Sequence, residues 1–140
     1  MDQKVFSTEM NVQVIHLNYG NHLAHDATVR MLEESRMRWI KTFNSNASEV
    51  SLEGNIGWVV KSFCINYESE ATHGQTLRFD LYPKNLKRTS LEIIHVVTNL
   101  SIQKRLCKCD MKLVFSNRIN LKVARAPTKF FDFISAAMTV

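Results

Sequence analysis

The run His16-Leu-Asn-Tyr-Gly-Asn-His22-Leu-Ala-His25-Asp26 gathers three imidazoles and a carboxylate within eleven residues and leads directly into a long helix-patterned segment. An imidazole titrates near neutrality and can take a proton from water, which makes His16 a candidate general base, with His22 a further candidate for a direct part in catalysis. A helix start leaves its first backbone amides without internal partners and carries partial positive charge, so it stabilises an oxygen that is gaining negative charge. A base for water beside a donor set for an oxyanion suits acyl transfer. Asp26 and Glu34, one and three turns into the helix, are candidate carboxylates for the same chemistry.

Each of these residues also has a structural reading. His22 next to a helix start can orient the loop by hydrogen bonding, and His25 can cap the helix. Asp26 in a first turn favours the helix dipole. Glu34 can be the buried partner of Arg36 from another subunit, or of His22. A metal cluster of His16, His22, His25 and Asp26 is conceivable, but the spacing lacks the H-x3-H or HExxH periodicity that places ligands on one helix face. No metal and no cofactor are expected.

The helix that must position this chemistry runs from about His25 to Phe43. Ala24, Thr28, Met31, Ser35 and Trp39 form one row at the 3.6-residue period, and Leu32, Ile40 and Phe43 widen the apolar side. Arg30, Glu33, Arg38 and Lys41 face water, and Asn44-Ser45-Asn46 supplies the stop. After the helix the period changes. Ile56 to Tyr67, Thr76 to Tyr82, Leu91 to Leu100 and Lys108 to Phe115 are rich in β-branched and aromatic residues and read as strands, with Met10 to Leu17 as an initial strand. Gly74-Gln75 marks a turn, and Pro83 limits pairing at the end of its strand. Asn120 to Ala126 extends the last strand or forms another, and Phe130 to Met138 reads as a short helix. One apolar helix followed by successive antiparallel strands implies an α+β fold in which the sheet wraps the helix.

The chain of 140 residues with 45% hydrophobic content supports one core, so residues 1–140 are expected to form a single domain. No run of about eighteen apolar residues appears and the first residues lack an export layout, which points to a cytoplasmic protein without membrane spans. Three cysteines argue against a disulfide framework. Cys107 and Cys109, two apart, are assigned to opposite faces of a strand and match neither a CxxC redox pair nor half a zinc site. The net charge of +5 is uneven: Lys84 to Arg125 holds ten bases against Glu92 and Asp110. That half calls for an anionic partner, either nucleic acid or a phosphate-bearing ligand. The charges are dispersed among strands without the aromatic and glycine signature of an RNA-binding sheet, so nucleic acid is not the expected partner. No G-x-S-x-G elbow and no phosphate-cradling glycine loop is present, which argues against serine thioesterase, ATP and NAD chemistry.

The loop N-Y-G-N-H-L-x-x-D at residues 18–26, with L-E-E-S-R-M-R-W at 32–39 and this element order, resembles the hotdog-fold acyl-CoA thioesterases, and more narrowly the branch related to 4-hydroxybenzoyl-CoA thioesterase. Asn18, Tyr19, Gly20, His22 and Leu23 match the loop D-x-N-Y-G-x-H-L-x-N-D of one subgroup. Glu34 and Arg36 match its helical E-A-R, and Gly74 with Leu77 falls where the family often has a G-D-x-L strand entry. The likeness covers roughly residues 10–127. It implies a long central helix wrapped by an antiparallel sheet, dimers paired edge to edge and often assembled into tetramers, and active sites at the subunit interface. Such sites use a loop carboxylate as nucleophile or base, with helix-terminal amides polarising the thioester carbonyl.

This chain departs from that pattern at the carboxylate. His16 stands where the subgroup has aspartate, and Asn18 stands where the wider family often has its catalytic Asp. His16 could serve as base instead, Asp26 or Glu34 could supply the carboxylate, or the site could bind acyl thioesters without cleaving them. The resemblance therefore implies an acyl-CoA or acyl carrier protein thioesterase. Catalytic candidates are His16, Asn18, His22, Asp26 and Glu34. Tyr19, Gly20 and Leu23 shape the loop, and Lys84, Lys87, Arg88, Lys104 and Arg105 are candidates for the phosphates of CoA. A non-catalytic acyl-CoA-binding protein and a nucleic-acid-binding protein are the alternatives.

Overall fold

A computed structural model describes residues 3–139. Helix α1 spans His25–Phe43 and buries Thr28, Met31, Ser35, Trp39 and Ile40, the stripe that its period dictates. Asn44 ends it, donating its amide to the Ile40 carbonyl. Five strands, β1 (Phe6–Asn11), β2 (Ile56–Tyr67), β3 (Thr76–Lys84), β4 (Ser90–Asn99) and β5 (Lys104–Asn117), form one antiparallel sheet in the order β1-β3-β4-β5-β2. Strand β4 alternates strictly, with Leu91, Ile93, His95, Val97 and Asn99 buried, as a pleat with one face on a helix requires. The fold is α+β, with α1 against one face of the sheet.

A second helix, α2 (Thr128–Met138), starts two residues before the expected bound, with Pro127 as its N-cap. Its Phe130 stands edge-on to Trp58 at 5.6 Å and to Phe43 at 5.1 Å. Burying such a ring contributes about 1.5–3 kcal/mol, so α2 closes the core at the C-terminal end of α1.

Three readings from the sequence are corrected by the structure. The first strand is Phe6–Asn11 rather than Met10 to Leu17, because Phe6, Thr8 and Met10 alternate inward while Val14 and Ile15 lie 71% and 82% exposed in a short 3-10 turn, Val14–His16. Asn120 to Ala126 is neither a strand nor an extension: a single bridge joins Ser116 to Val123, and Leu121 takes a left-handed φ of 59° that breaks the run. Cys107 and Cys109 both face the core rather than opposite sides, since residues two apart on a pleated strand share a face. Pro83 lies within β3 opposite Ile93 and beyond the last β1 pair, Phe6 with Leu81, so its missing N–H costs no ladder bond to β1.

The loop before α1 is stitched to one end of the sheet. Leu23 donates its amide to the Ala71 carbonyl at 2.8 Å and Val12 to Gln75 at 2.9 Å, while the segment after β2 is tied to β5 by the Glu68 amide on the Leu106 carbonyl at 2.8 Å. Among the described residues no helix is long and apolar enough to cross a membrane.

Candidate active site at the start of the long helix

Asn18 organises the loop. Its Oδ1 accepts the amides of Gly20 at 2.9 Å and His22 at 3.1 Å, and its own amide donates to the His22 carbonyl at 2.8 Å. The left-handed residue of the turn is Asn21, at φ 65°, and not Gly20. Leu17 and Leu23 bridge across the loop base. The chain then enters α1 at Ala24, whose side chain offers no cap, so His25 is not the cap that its position suggested. Its ring stands edge-on to Tyr67 at 4.9 Å instead. Among the described residues nothing accepts a hydrogen bond from the amides of His25, Asp26 and Ala27. The positive end of the dipole is open.

Two clefts flank this opening. One, of about 260 Å³, lies on the β1 side and is bordered by His16, Asp26, Arg30 and Glu34 with Met10 and Ile15. Asp26, Arg30 and Glu34 share a helix face because they are four residues apart. The His16 Nδ1 accepts the Gln13 amide at 2.9 Å, and the Glu34 carboxylate accepts from Arg38 Nε at 2.7 Å. Glu34 is thus a half-exposed partner of Arg38, not a buried partner of Arg36 or His22.

The other cleft, of about 120 Å³, lies on the β2 side and holds His22, His25, Thr28, Tyr67 and Glu70 around Asn18. The His22 Nε2 lies 3.2 Å from the Glu70 carboxylate. Burial raises the Tyr67 pKa above its ordinary value, countered in part by a hydrogen bond with Thr28. Glu70 and Tyr67 carry no signal in the sequence, because no motif contains them; the end of β2 and the Leu23–Ala71 bond bring them to the helix start.

Of the remaining candidates, Tyr19 points wholly into solvent and Leu23 is half-buried at the loop base. Lys104 and Arg105 lie at the same end of the sheet as the helix start, with Arg105 Nε 2.6 Å from Glu68. Lys84, Lys87 and Arg88 lie at the opposite end, roughly 30 Å away along the nine residues of β3 at ~3.3 Å per residue. Lys84 pairs with Asp110 at 2.9 Å, and the Arg88 guanidinium sits over the Phe131 ring at 5.4 Å.

Beneath α1 lies a polar cluster of another kind. Arg36, 1% exposed, meets Glu49 through Nε at 2.8 Å and the His95 Nε2 through Nη1 at 3.2 Å, while the His95 Nδ1 lies 3.4 Å from the Cys109 carbonyl. Burial, then the Arg36 charge, lowers the His95 pKa to about 3, so its Nε2 accepts from Arg36 and its Nδ1–H faces the carbonyl. Burial likewise pushes Cys107 up to about 12 and Cys109 up to about 11, leaving both as inert thiols. Among the described residues no group of three or more His, Cys, Asp or Glu is arranged to hold a metal ion.

A family model described as the thioesterase-like superfamily matches residues 12–137. Among solved structures, the PA2801 protein of Pseudomonas aeruginosa superimposes with a TM-score of 0.83 at 24% identity, covering 98% of this chain and 100% of that one. A 1,4-dihydroxy-2-naphthoyl-CoA thioesterase from Synechocystis gives 0.80 at 14% identity, covering 95% and 94%. A hypothetical protein of Staphylococcus aureus in complex with CoA gives 0.85 at 14% identity, covering 99% and 86%. All three share the fold. No curated protein matches the chain.

Proposed function

This chain belongs to the thioesterase-like superfamily and is by class a thioester hydrolase, and we propose that it cleaves an acyl-CoA or acyl carrier protein thioester at the start of α1. The observation that carries this reading is the uncapped helix start, where the amides of His25, Asp26 and Ala27 have no protein acceptor among the described residues. A thioester oxygen docked there meets preorganised donors, each worth about 2.7–4 kcal/mol in comparable oxyanion holes. Water attacks the carbonyl carbon as a base takes its proton, and collapse of the tetrahedral adduct breaks the C–S bond and releases acid and thiol. His16, His22, Asp26 and Glu34 border the opening and are the candidate bases. Asn18 is not one: an amide does not take the proton, and its Oδ1 is committed to two loop amides.

CoA is favoured over a carrier protein by the CoA complex of the Staphylococcus neighbour and the CoA thioester that the Synechocystis enzyme acts on. Lys104 and Arg105 are the near candidates for its phosphates. Lys84, Lys87 and Arg88 are too distant in one chain. Strand β2 is a sheet edge with exposed Val59, Val60, Phe63 and Tyr67, and edges of this kind pair with other chains. A second copy paired antiparallel along β2 brings its basic far end to the helix start of the first, which makes a homodimer the functional unit and a tetramer an assembly of two. The test is thiol release by pure protein from a panel of acyl-CoAs. Turnover of at least one is expected. CoA-linked binding in calorimetry without any turnover would leave a binding protein in place of an enzyme.

A further inference from the structure

Resting on the hydrolase reading above, we propose that His22 is the general base and that Glu70 is its positioning residue, the pair replacing the carboxylate that the loop lacks. Four bases border the helix start, and their partners separate them. The His16 ring already spends Nδ1 on the Gln13 amide, and Glu34 is engaged by Arg38. Asp26 has no side-chain partner among the described residues to orient it, and it lines the β1-side cleft, away from edge strand β2. His22 alone has a carboxylate on one ring nitrogen, Glu70 at 3.2 Å from Nε2, and no hydrogen bond on the other among the described residues.

The backbone holds both members. The His22 amide and carbonyl are bound to Asn18, and the residue after Glu70 accepts the Leu23 amide at 2.8 Å. With the Nε2–H held by the Glu70 carboxylate, the Nδ1 lone pair is left to accept a proton from water. Water oxygen then bonds to the thioester carbon, its proton moves to Nδ1, and the adduct's negative oxygen rests on the amides of His25 to Ala27. As the C–S bond breaks, Nδ1 returns the proton to the departing sulfur, so thioester and water become acid and thiol and the ring ends neutral. The carboxylate orients the ring and offsets its transient positive charge, the division of labour of a base with an orienting partner. Glu70 is 73% exposed and His22 43% exposed at the side chain, so the pair adds little to stability and its effect is on orientation.

The experiment measures kcat and KM for the best acyl-CoA of the panel with wild type, Glu70→Ala, Glu70→Gln, His22→Ala and the His22→Ala/Glu70→Ala double variant. Glu70→Ala is expected to lower kcat about 10- to 100-fold with KM within about twofold, and His22→Ala on the order of 10²- to 10⁴-fold. Glu70→Gln recovers part of the loss, since its amide oxygen still accepts the Nε2–H. The double variant falls no lower than His22→Ala, because Glu70 acts only through the ring. Wild-type kcat in Glu70→Ala, or a further loss on adding it to His22→Ala, overturns the assignment while hydrolysis stands. Absence of turnover in the wild type overturns hydrolysis itself, and the base with it.

Discussion

Beneath α1, His95 is fully buried between Arg36 and the Cys109 carbonyl, whereas at the mouth of the same helix His22 is half-exposed beside Glu70. Each imidazole touches one charged side chain, and the two charges have opposite sign. Against a cation and without water, the ring of His95 is held neutral down to about pH 3 and serves only to satisfy Arg36. Against a carboxylate and with water at hand, His22 keeps one nitrogen open. The lesson is that residue type does not mark a chemical group; the sign of its neighbour and its access to solvent do.

The largest effect that tests this contrast is expected in the buried cluster. Arg36→Met leaves Glu49, whose side chain is 15% exposed, without its cation; removing one partner of a buried pair costs about 3–5 kcal/mol, to be read as a lowered midpoint in denaturant. A loss below 1 kcal/mol would mean the cluster is not structural. Next comes pH. Because the folded His95 takes its proton near 3 and the unfolded ring near 6.5, the unfolded chain binds the proton first as pH falls. The stability linked to His95 is therefore complete above about pH 6.5 and is lost towards pH 3, with a slope approaching about 1.4 kcal/mol per pH unit. In denaturation series between pH 7 and pH 4, wild type should lose ground to His95→Gln; parallel curves would break the neutral-ring assignment. Smallest is His16→Ala, expected to change kcat less than about threefold on the scale of a base's 10²- to 10⁴-fold. A loss equal to that of His22→Ala in thiol release would move the chemistry to the β1-side cleft.

How far the sequence could be read varied with the kind of signal. The bounds of α1 and β2 were legible to the residue, because an amphipathic period over nineteen residues and a β-rich run of twelve leave few alternatives. The first strand lies earlier than the apolar pattern suggests, because Val14 and Ile15 are apolar yet exposed. The loop from His16 to Asp26 was recognisable as the candidate site, and its Asn18 is the tie of the turn. Glu70 and Glu49 were invisible, since neither lies in a motif and each meets its partner only across the fold, Glu70 at 3.2 Å from His22 and Glu49 at 2.8 Å from Arg36.

What the chain determined by itself is local: a helix with a polar entry, strands of period two, and an excess of cations in the second half. These follow from side-chain spacing and composition, which act between near neighbours. Which carboxylate faces which imidazole, and that α1 opens between two clefts rather than one, was decided by the tertiary structure. The pairing of His22 with Glu70 joins the loop before α1 to the loop after β2, far apart in the chain, and only the folded sheet brings those two loops within hydrogen-bonding distance.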